Sequence, residues 1–145
     1  MSELKKRTQV VAGIFLNAGR VLMGCRAPSE GGRFIDHWEF PGGRVELGES
    51  PQQALEREFM EELEAEVCQK KFFRQIEWSY PDKEIELHYF FVRLLKTEPK
   101  SFSLHAHSCI DWFPLPEALK MPVLPANRAV IEDLMKLNLQ DPFKI

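Results

Sequence analysis

The residues best suited to chemistry are three glutamates, Glu58, Glu61 and Glu62, in an acidic stretch. On a helix, Glu61 and Glu62 lie about 60° and about 40° to either side of Glu58, so all three share one face. Such close carboxylates repel one another, and within the cluster only Arg57 offsets them. A divalent cation such as magnesium would supply the missing charge and bind substrate phosphates. The pattern indicates phosphate chemistry, although a solvated, glutamate-rich helix face has the same composition.

The element that must position these glutamates is a helix with a well-marked start. Ser50 can be its N-cap, Pro51 suits its first position and Gln53 completes a capping box. The sequence predicts that this helix runs to about residue 63. An apolar stripe along it consists of Leu55, Phe59 and Leu63. Because the stripe lies beside the acidic face, we expect the glutamates to be held against the body of the protein.

The rest of the chain predicts strands and two further helices. Apolar and alternating runs predict strands at 9–16, 20–26, 38–40 and 109–113, and a hairpin of 72–80 with 84–95. Pro41, Gly42 and Gly43 predict a sharp turn. Helices are predicted at 115–120 and 126–137, the second with Val130, Leu134 and Leu137 on its apolar side. We expect one α/β domain over residues 1–145, with a mixed sheet packed between helices.

Composition and charge restrict the class of protein. The hydrophobic fraction of 44% and the net charge of −3 are typical of a globular chain without a large nucleic-acid or anionic-membrane surface. The three cysteines are widely spaced, which argues against a disulfide framework or a structural zinc site and favours a reducing cytoplasm. No apolar run approaches the ~18 residues of a membrane span, and no export signal is evident. We therefore expect a cytoplasmic monomer or homodimer.

Seven residues around the acidic helix stand at fixed intervals: Gly43, Glu49, Arg57, Glu58, Phe59, Glu61 and Glu62. Over residues 43–65 this spacing resembles the Nudix box, the signature of hydrolases that cleave nucleoside diphosphates linked to another group. The resemblance implies an α/β/α sandwich around a mixed β-sheet and bound Mg²⁺ or Mn²⁺. The sequence departs from the family at two positions, Glu64 and Ala65. A glycine usually stands at the position of Glu64 and ends the helix in a left-handed conformation, which costs other residues about 1 kcal/mol or more. A large apolar residue is usual at the position of Ala65.

The resemblance also implies roles for the residues of the box. It assigns the metal ligands as the carboxylates of Glu58, Glu61 and Glu62 with the carbonyl of Gly42. Arg57 would orient the carboxylates. Glu49 would support them or serve as an outer metal ligand, and Gly43 would be a supporting residue. Either Glu58 or Glu61 would accept the proton of the attacking water.

A loop acid that many members of the MutT-like branch supply has no counterpart here. The count back from Trp112 places Ala106 at that position. His107 is the candidate substitute, since the unperturbed pKa of histidine is about 6.5. A merely exposed loop histidine is the alternative.

Beyond the box, residues 38–43, 80–83 and 124–127 resemble the MutT-like branch, whose members hydrolyse nucleoside triphosphates. That likeness implies the substrate-binding residues Arg26, Glu39, Phe40, Pro41, Tyr80, Asp82 and Asn127. An amide both donates and accepts, so Asn127 suits recognition of a base, although a helix N-cap is an equally favoured use of asparagine. Phe40 also fits a core position, and Arg26 a solvated strand end.

We therefore expect Mg²⁺-dependent hydrolysis of a (deoxy)nucleoside triphosphate to monophosphate and pyrophosphate, which would sanitise the nucleotide pool. The first substrate choice is 8-oxo-dGTP, and (d)CTP is an alternative. The 5′-triphosphate of RNA is another, and would need a basic track, for which Lys70, Lys71 and Arg74 are the candidates. A nucleotide-sensing module with weak catalysis is the alternative from a different class. The expected partner is a small nucleotide, with no membrane and no nucleic acid other than an RNA 5′ end.

Overall fold

The computed structural model describes residues 6–32 and 34–144. The strands and helices of these residues are, in chain order, β1 (Lys6–Ile14), β2 (Leu16–Asn17), β3 (Arg20–Arg26), β4 (Trp38–Glu39), β5 (Gly42–Arg44), α1 (Pro51–Leu63), β6 (Val67–Ser79), β7 (Lys83–Leu94), β8 (His107–Pro114), α2 (Leu115–Ala118) and α3 (Pro125–Leu137). Within the described ranges, no helix is long and apolar enough to cross a membrane. The expectation of one domain over the whole chain stays a prediction.

The strands form two sheets. The first has the order β5-β1-β7-β6 and is mixed, because β1 runs parallel to β7 while the other pairs are antiparallel. The second joins β2, β3 and β4, with β8 also paired to β3, and is antiparallel throughout. The mixed sheet was predicted from the sequence, whereas the second sheet was not.

The mixed sheet lies between helices, as predicted. On one face, Val11 and Phe90 belong to a core cluster with the apolar residues of α1. Their neighbours Ala12 and Phe91 point to the other face and join a cluster with α2 and α3. This alternation follows from the two-residue period of a strand. The α/β/α class is therefore confirmed.

Helix α1 begins as predicted. Ser50 Oγ accepts from the Gln53 backbone N–H at 3.1 Å, and Gln53 Oε1 accepts from the Ser50 N–H at 2.9 Å. At its end, Glu64 adopts the left-handed conformation, with φ of 51°, although it carries a side chain. Its carboxylate contacts His105 Nε2 at 2.6 Å, which anchors the residue in this conformation.

Three local predictions were wrong. The predicted sharp turn includes Gly42 and Gly43, which instead begin strand β5 and pair with β1. A Cβ added at Gly42 would lie 2.0 Å from the Val11 carbonyl oxygen, so this close pairing needs glycine. Strand β6 starts at Val67, earlier than the predicted residue 72. Leu137, predicted for the apolar side of α3, is 48% exposed because it ends the helix.

Candidate metal and nucleotide site

Strand β5 and helix α1 together hold two of the predicted metal ligands. A Cβ added at Gly43 would lie 2.4 Å from the carboxyl carbon of Glu58, so glycine is what allows this carboxylate to lie against the strand. The backbone N–H of Gly42 donates to Glu62 Oε1 at 3.3 Å. The glycine pair thus fixes both carboxylates relative to the sheet.

Arg57 organises the acidic face from its side. Its Nε donates to Glu49 Oε2 at 2.7 Å and its Nη2 to Glu49 Oε1 at 2.9 Å, a bidentate pair. Its Nη1 donates to Glu58 Oε1 at 2.9 Å and to Glu61 Oε2 at 3.1 Å, and its Nη2 also reaches the Arg44 carbonyl at 2.8 Å. These hydrogen bonds lower the pKa of Glu49 to about 2 and raise the pKa of the Arg57 guanidinium. The guanidinium is fully engaged, which suits the predicted role of orienting carboxylates.

Glu62 is the carboxylate least compensated by its surroundings. Its burial, followed by the charges of Glu39 and Glu58, raises its pKa to about 9. Burial also raises the pKa of Glu58, against the opposing effect of Arg57. The carboxylates of Glu58 and Glu62 are close enough to affect each other's pKa, whereas the Glu61 side chain is 58% exposed. Because Glu62 lies beside the charges of Glu39 and Glu58, and Glu58 shares the Arg57 guanidinium with Glu49 and Glu61, these half-buried carboxylates fit a divalent cation.

A second group of possible ligands adjoins Glu62. One ligand atom from each of Glu39, Glu62 and His107 lies within 4.8 Å of the others. His107 Nε2 contacts Glu39 Oε2 at 3.0 Å, and Arg26 Nη1 donates to Glu39 Oε1 at 3.1 Å. A Cβ at Gly24 would lie 2.6 Å from the imidazole, so β3 accommodates the ring only because it has glycine there. The carboxylate of Glu39 thereby faces Glu62.

This arrangement corrects the prediction of a loop histidine. His107 is the first residue of β8, and its side chain is 0% exposed. It pairs with Glu39 because the antiparallel register places it opposite Arg26, beside strand β4. Ala106 is itself buried. The acidic group that lies beside Glu62 and His107 is Glu39, which sequence reasoning had assigned to substrate binding.

A cavity of about 450 Å³ opens beside the carboxylates. Its wall includes Gly42 and Gly43 and most of the predicted substrate-binding set, namely Arg26, Glu39, Phe40, Tyr80, Asp82 and Asn127. Pro41 is not part of this wall among the described residues. It is buried instead, and its carbonyl accepts from the Gly13 N–H at 2.9 Å, which explains its place between β4 and β5.

The structure distinguishes between the alternative roles that the sequence left open for Asn127, Arg26 and Phe40. Asn127 is not the N-cap of α3, which is Leu124, and lies buried with its Oδ1 accepting from the Tyr89 hydroxyl at 2.7 Å. Arg26 is not a solvated strand end, because it is half-buried against Glu39. Phe40 is both a core residue and part of the cavity wall. Sequence reasoning missed Tyr89 because the alternating pattern around it predicted only a strand of the hairpin.

A model of the NUDIX domain matches residues 5–134. The chain belongs to this family. A protein of Escherichia coli named 8-oxo-dGTP diphosphatase is 30% identical over 132 residues, 91% of this chain and 99% of that protein. An Escherichia coli CTP pyrophosphohydrolase is 32% identical over 137 residues, 94% and 98% of the two chains. The solution structure of the Escherichia coli ORF135 protein has a TM-score of 0.77 and 31% identity, with 99% and 100% coverage.

These similarities confirm the expectation of an enzyme of the Nudix hydrolase family. They also confirm the MutT-like resemblance, since relatives carry the name 8-oxo-dGTP diphosphatase. Relatives named for 8-oxo-dGTP and for CTP both match this chain. In this Nudix chain the residues of the cavity wall must therefore determine which base is preferred.

Proposed function

We propose that the protein hydrolyses a nucleoside triphosphate to the nucleoside monophosphate and pyrophosphate, with Mg²⁺ as its cation. The observation that carries the proposal is the continuity of one site. The wall of the cavity runs from Asn127 to Gly42 and Gly43, and the half-buried carboxylates of Glu58 and Glu62 lie directly against those glycines. A nucleotide whose base lies near Asn127 would thus place its phosphates toward the carboxylates. The relatives named as 8-oxo-dGTP diphosphatase and CTP pyrophosphohydrolase support a triphosphate substrate.

The donor set suits Mg²⁺, with Mn²⁺ as the usual substitute for oxygen ligands. Glu58, Glu61 and Glu62 would hold the cation together with the carbonyl of Gly42, and Glu39 adds a buried carboxylate beside Glu62. When bound, the cation would place positive charge against the phosphate oxygens and promote attack by water.

Other side chains of the protein would orient the carboxylates and accept the proton of the attacking water. Arg57, held by Glu49, fixes the positions of Glu58 and Glu61. The proton of the attacking water passes to one of these two glutamates, which share the same Arg57 nitrogen. His107 has no exposed surface through which to take that proton, so its role is to position Glu39.

The base and sugar would lie in the cavity, against Phe40, Tyr80 and Asn127. Arg26 and Asp82 contribute polar groups to the same wall. We take 8-oxo-dGTP as the first candidate and (d)CTP as the second, which the identity of 32% to the CTP pyrophosphohydrolase favours. The biological role would be removal of unwanted nucleotides in the cytoplasm, a compartment consistent with three unpaired cysteines.

The RNA alternative gains no support from the basic run on β6. Lys70 pairs with Glu56 at 2.8 Å, and Arg74 pairs with Asp133. Lys71 donates to the Pro142 carbonyl at 3.1 Å. Because these cations already have partners within the chain, they do not form an open track for an RNA backbone.

The proposal is tested by turnover of a panel of nucleoside triphosphates with and without Mg²⁺, with monophosphate and pyrophosphate quantified separately. We expect equal amounts of the two products, and a loss of about a hundredfold or more in Glu62→Gln. The matched control is Glu56→Gln, on the exposed side of the same helix. Release of inorganic phosphate in place of pyrophosphate would refute the assigned reaction. Binding of nucleotides without any turnover would favour the sensing module instead.

A further inference from the structure

Two of the three cysteines lie directly opposite each other in the second sheet. Cys25 on β3 pairs with Cys109 on β8 in an antiparallel register. Directly opposed residues point to the same face of a sheet, and their Cα atoms are about 4.5–5.5 Å apart. That separation lies within the about 4.4–6.8 Å that the Cα atoms of disulfides span. The third cysteine, Cys68, lies on β6 in the other sheet.

The two paired thiols differ in their access to solvent. Cys25 is 9% exposed, whereas Cys109 is an exposed residue that a dissolved reagent can reach. The partial burial of the Cys109 thiol raises its pKa, and the neighbouring Cys25 raises it further, so the two thiols are close enough to interact. Because the thiolate is the reacting form, the raised pKa keeps the pair reduced until an oxidant accumulates.

The cysteine pair adjoins the residues that support Glu39. Cys25 immediately precedes Arg26, which donates to Glu39 Oε1 at 3.1 Å. The register shifts between Cys25 and Arg26, where Ser108 is the additional residue on β8. Arg26 then pairs with His107, whose Nε2 contacts Glu39 Oε2 at 3.0 Å. Since a β-bulge determines where nearby side chains point, a covalent link between the two thiols would act on the backbone that aims both partners of Glu39.

We propose that Cys25 and Cys109 are a site of oxidative modification, at which a hydroperoxide converts the two thiols to a cross-strand disulfide that displaces the partners of Glu39 and weakens cation binding. The Cys109 sulfur attacks the hydroperoxide and breaks its O–O bond, which gives a sulfenic acid and releases an alcohol, or water from hydrogen peroxide. The Cys25 thiol then attacks that sulfur, so the S–S bond forms and the sulfenic oxygen leaves as water. The two thiols lose two electrons and two protons in total, and the hydroperoxide accepts them.

Formation of this disulfide would draw β3 and β8 together at the bulge. Disulfides hold their Cβ atoms about 3.8 Å apart, whereas opposed residues of neighbouring strands have Cβ atoms about 4.5–5.5 Å apart. The movement displaces Arg26 and His107 relative to Glu39, the carboxylate beside Glu62. The effect on the cation rests on the proposed function, whereas formation of the disulfide does not.

Disulfide formation is tested by treatment of the wild type, Cys25→Ser, Cys109→Ser and Cys68→Ser with hydrogen peroxide, followed by peptide mass spectrometry. We expect a linked pair of peptides that contain Cys25 and Cys109 in the wild type and in the matched control Cys68→Ser, and its loss on reduction with a phosphine. Neither Cys25→Ser nor Cys109→Ser should form this link. The second of these variants replaces an exposed side chain, so the comparison holds even if the first folds poorly. Oxidation of Cys109 to a sulfinic acid without the link, or linkage through Cys68, would overturn the proposal.

The effect on the site is measured as the affinity for Mn²⁺, by electron paramagnetic resonance after removal of the peroxide. We expect the disulfide form of the wild type to bind Mn²⁺ about tenfold more weakly and to recover on reduction, because the supports of a metal ligand have moved. The same treatment should leave the affinity of Cys109→Ser unchanged. Unchanged affinity in the disulfide form would overturn the proposal. A disulfide that lowers Mn²⁺ affinity, together with no turnover of any triphosphate by the reduced protein, would support this inference while refuting the proposed function.

Discussion

Gly43→Ala is expected to separate activity from stability. The added Cβ would lie 2.4 Å from the carboxyl carbon of Glu58, and ordinary contact begins at 3.4 Å, so the carboxylate must move by about 1 Å. The displaced group is the end of a flexible side chain, and Gly43 has no left-handed backbone that an alanine would strain. Replacing glycine by alanine at a compatible position stabilises a protein by about 0.4–1 kcal/mol through the unfolded chain. A displacement of about 1 Å in a catalytic constellation costs about a hundredfold in rate.

The assay pairs kcat/KM for the best triphosphate at saturating Mg²⁺ with the free energy of unfolding in urea. Gly42→Ala is the matched control, because its Cβ would lie 2.0 Å from the backbone oxygen of Val11, which cannot rotate away. We expect Gly43→Ala to fold like the wild type with about one per cent of its activity, and Gly42→Ala to be strongly destabilised. Wild-type activity in Gly43→Ala would refute the placement of Glu58 against β5.

Three further predictions concern the charges around the site. In Arg57→Lys, the lysine cannot reproduce the bidentate contact with Glu49, so kcat/KM should fall at least about tenfold with little change in fold. Kinetics and circular dichroism measure these two effects. Unchanged kinetics would contradict the orienting role of Arg57. Without metal, burial raises the pKa of Glu62 from 4.5 to about 9 and also raises the pKa of Glu58. The contribution of Glu62 to stability is therefore full below about pH 4.5 and is lost as the pH rises toward 9. The melting temperature in EDTA should therefore fall between pH 6 and pH 8.5, and Mg²⁺ should raise it more at the higher pH; a melting temperature that rises over this range in EDTA would contradict the burial of these carboxylates. The lowered pKa of Glu49 acts in a separate window, since its contribution is lost only as the pH falls from about 4.5 toward 2. His107→Ala should lower the free energy of unfolding by about 2 kcal/mol, because it removes a buried ring and a partner of Glu39. Urea denaturation measures this loss, and an unchanged free energy of unfolding would contradict the described packing of His107.

The sequence was most informative where short-range signals decide the structure. The N-cap at Ser50 and the apolar stripe of α1 are local features, so the helix and its acidic face could be predicted residue by residue. The position of Glu58 against Gly43 also follows from a fixed interval along the chain. Even the left-handed end of α1 at Glu64 could be anticipated as a point of strain, although the contact with His105 could not.

The rest of the site depends on strand pairing between distant segments. Glu39 and His107 are 68 residues apart in sequence and meet because β4 and β8 both pair with β3. Tyr89 and Asn127 are 38 residues apart and meet where α3 packs on the mixed sheet. Periodicity identifies each of these segments as a strand or a helix, but it does not determine register between them. For this reason His107 was predicted to lie in a loop and no role in the site was predicted for Tyr89.

Cation binding to the carboxylates of α1 is tested most directly with Mn²⁺ as a spectroscopic probe. Electron paramagnetic resonance of free Mn²⁺, titrated with protein and then with competing Mg²⁺, measures binding without any need for turnover. We predict that the wild type and Glu56→Gln bind Mn²⁺ and release it to Mg²⁺, whereas Glu58→Gln and Glu62→Gln bind it at least about tenfold more weakly. Wild-type affinity in both Glu58→Gln and Glu62→Gln would contradict the account, because the cation would then lie elsewhere in the molecule.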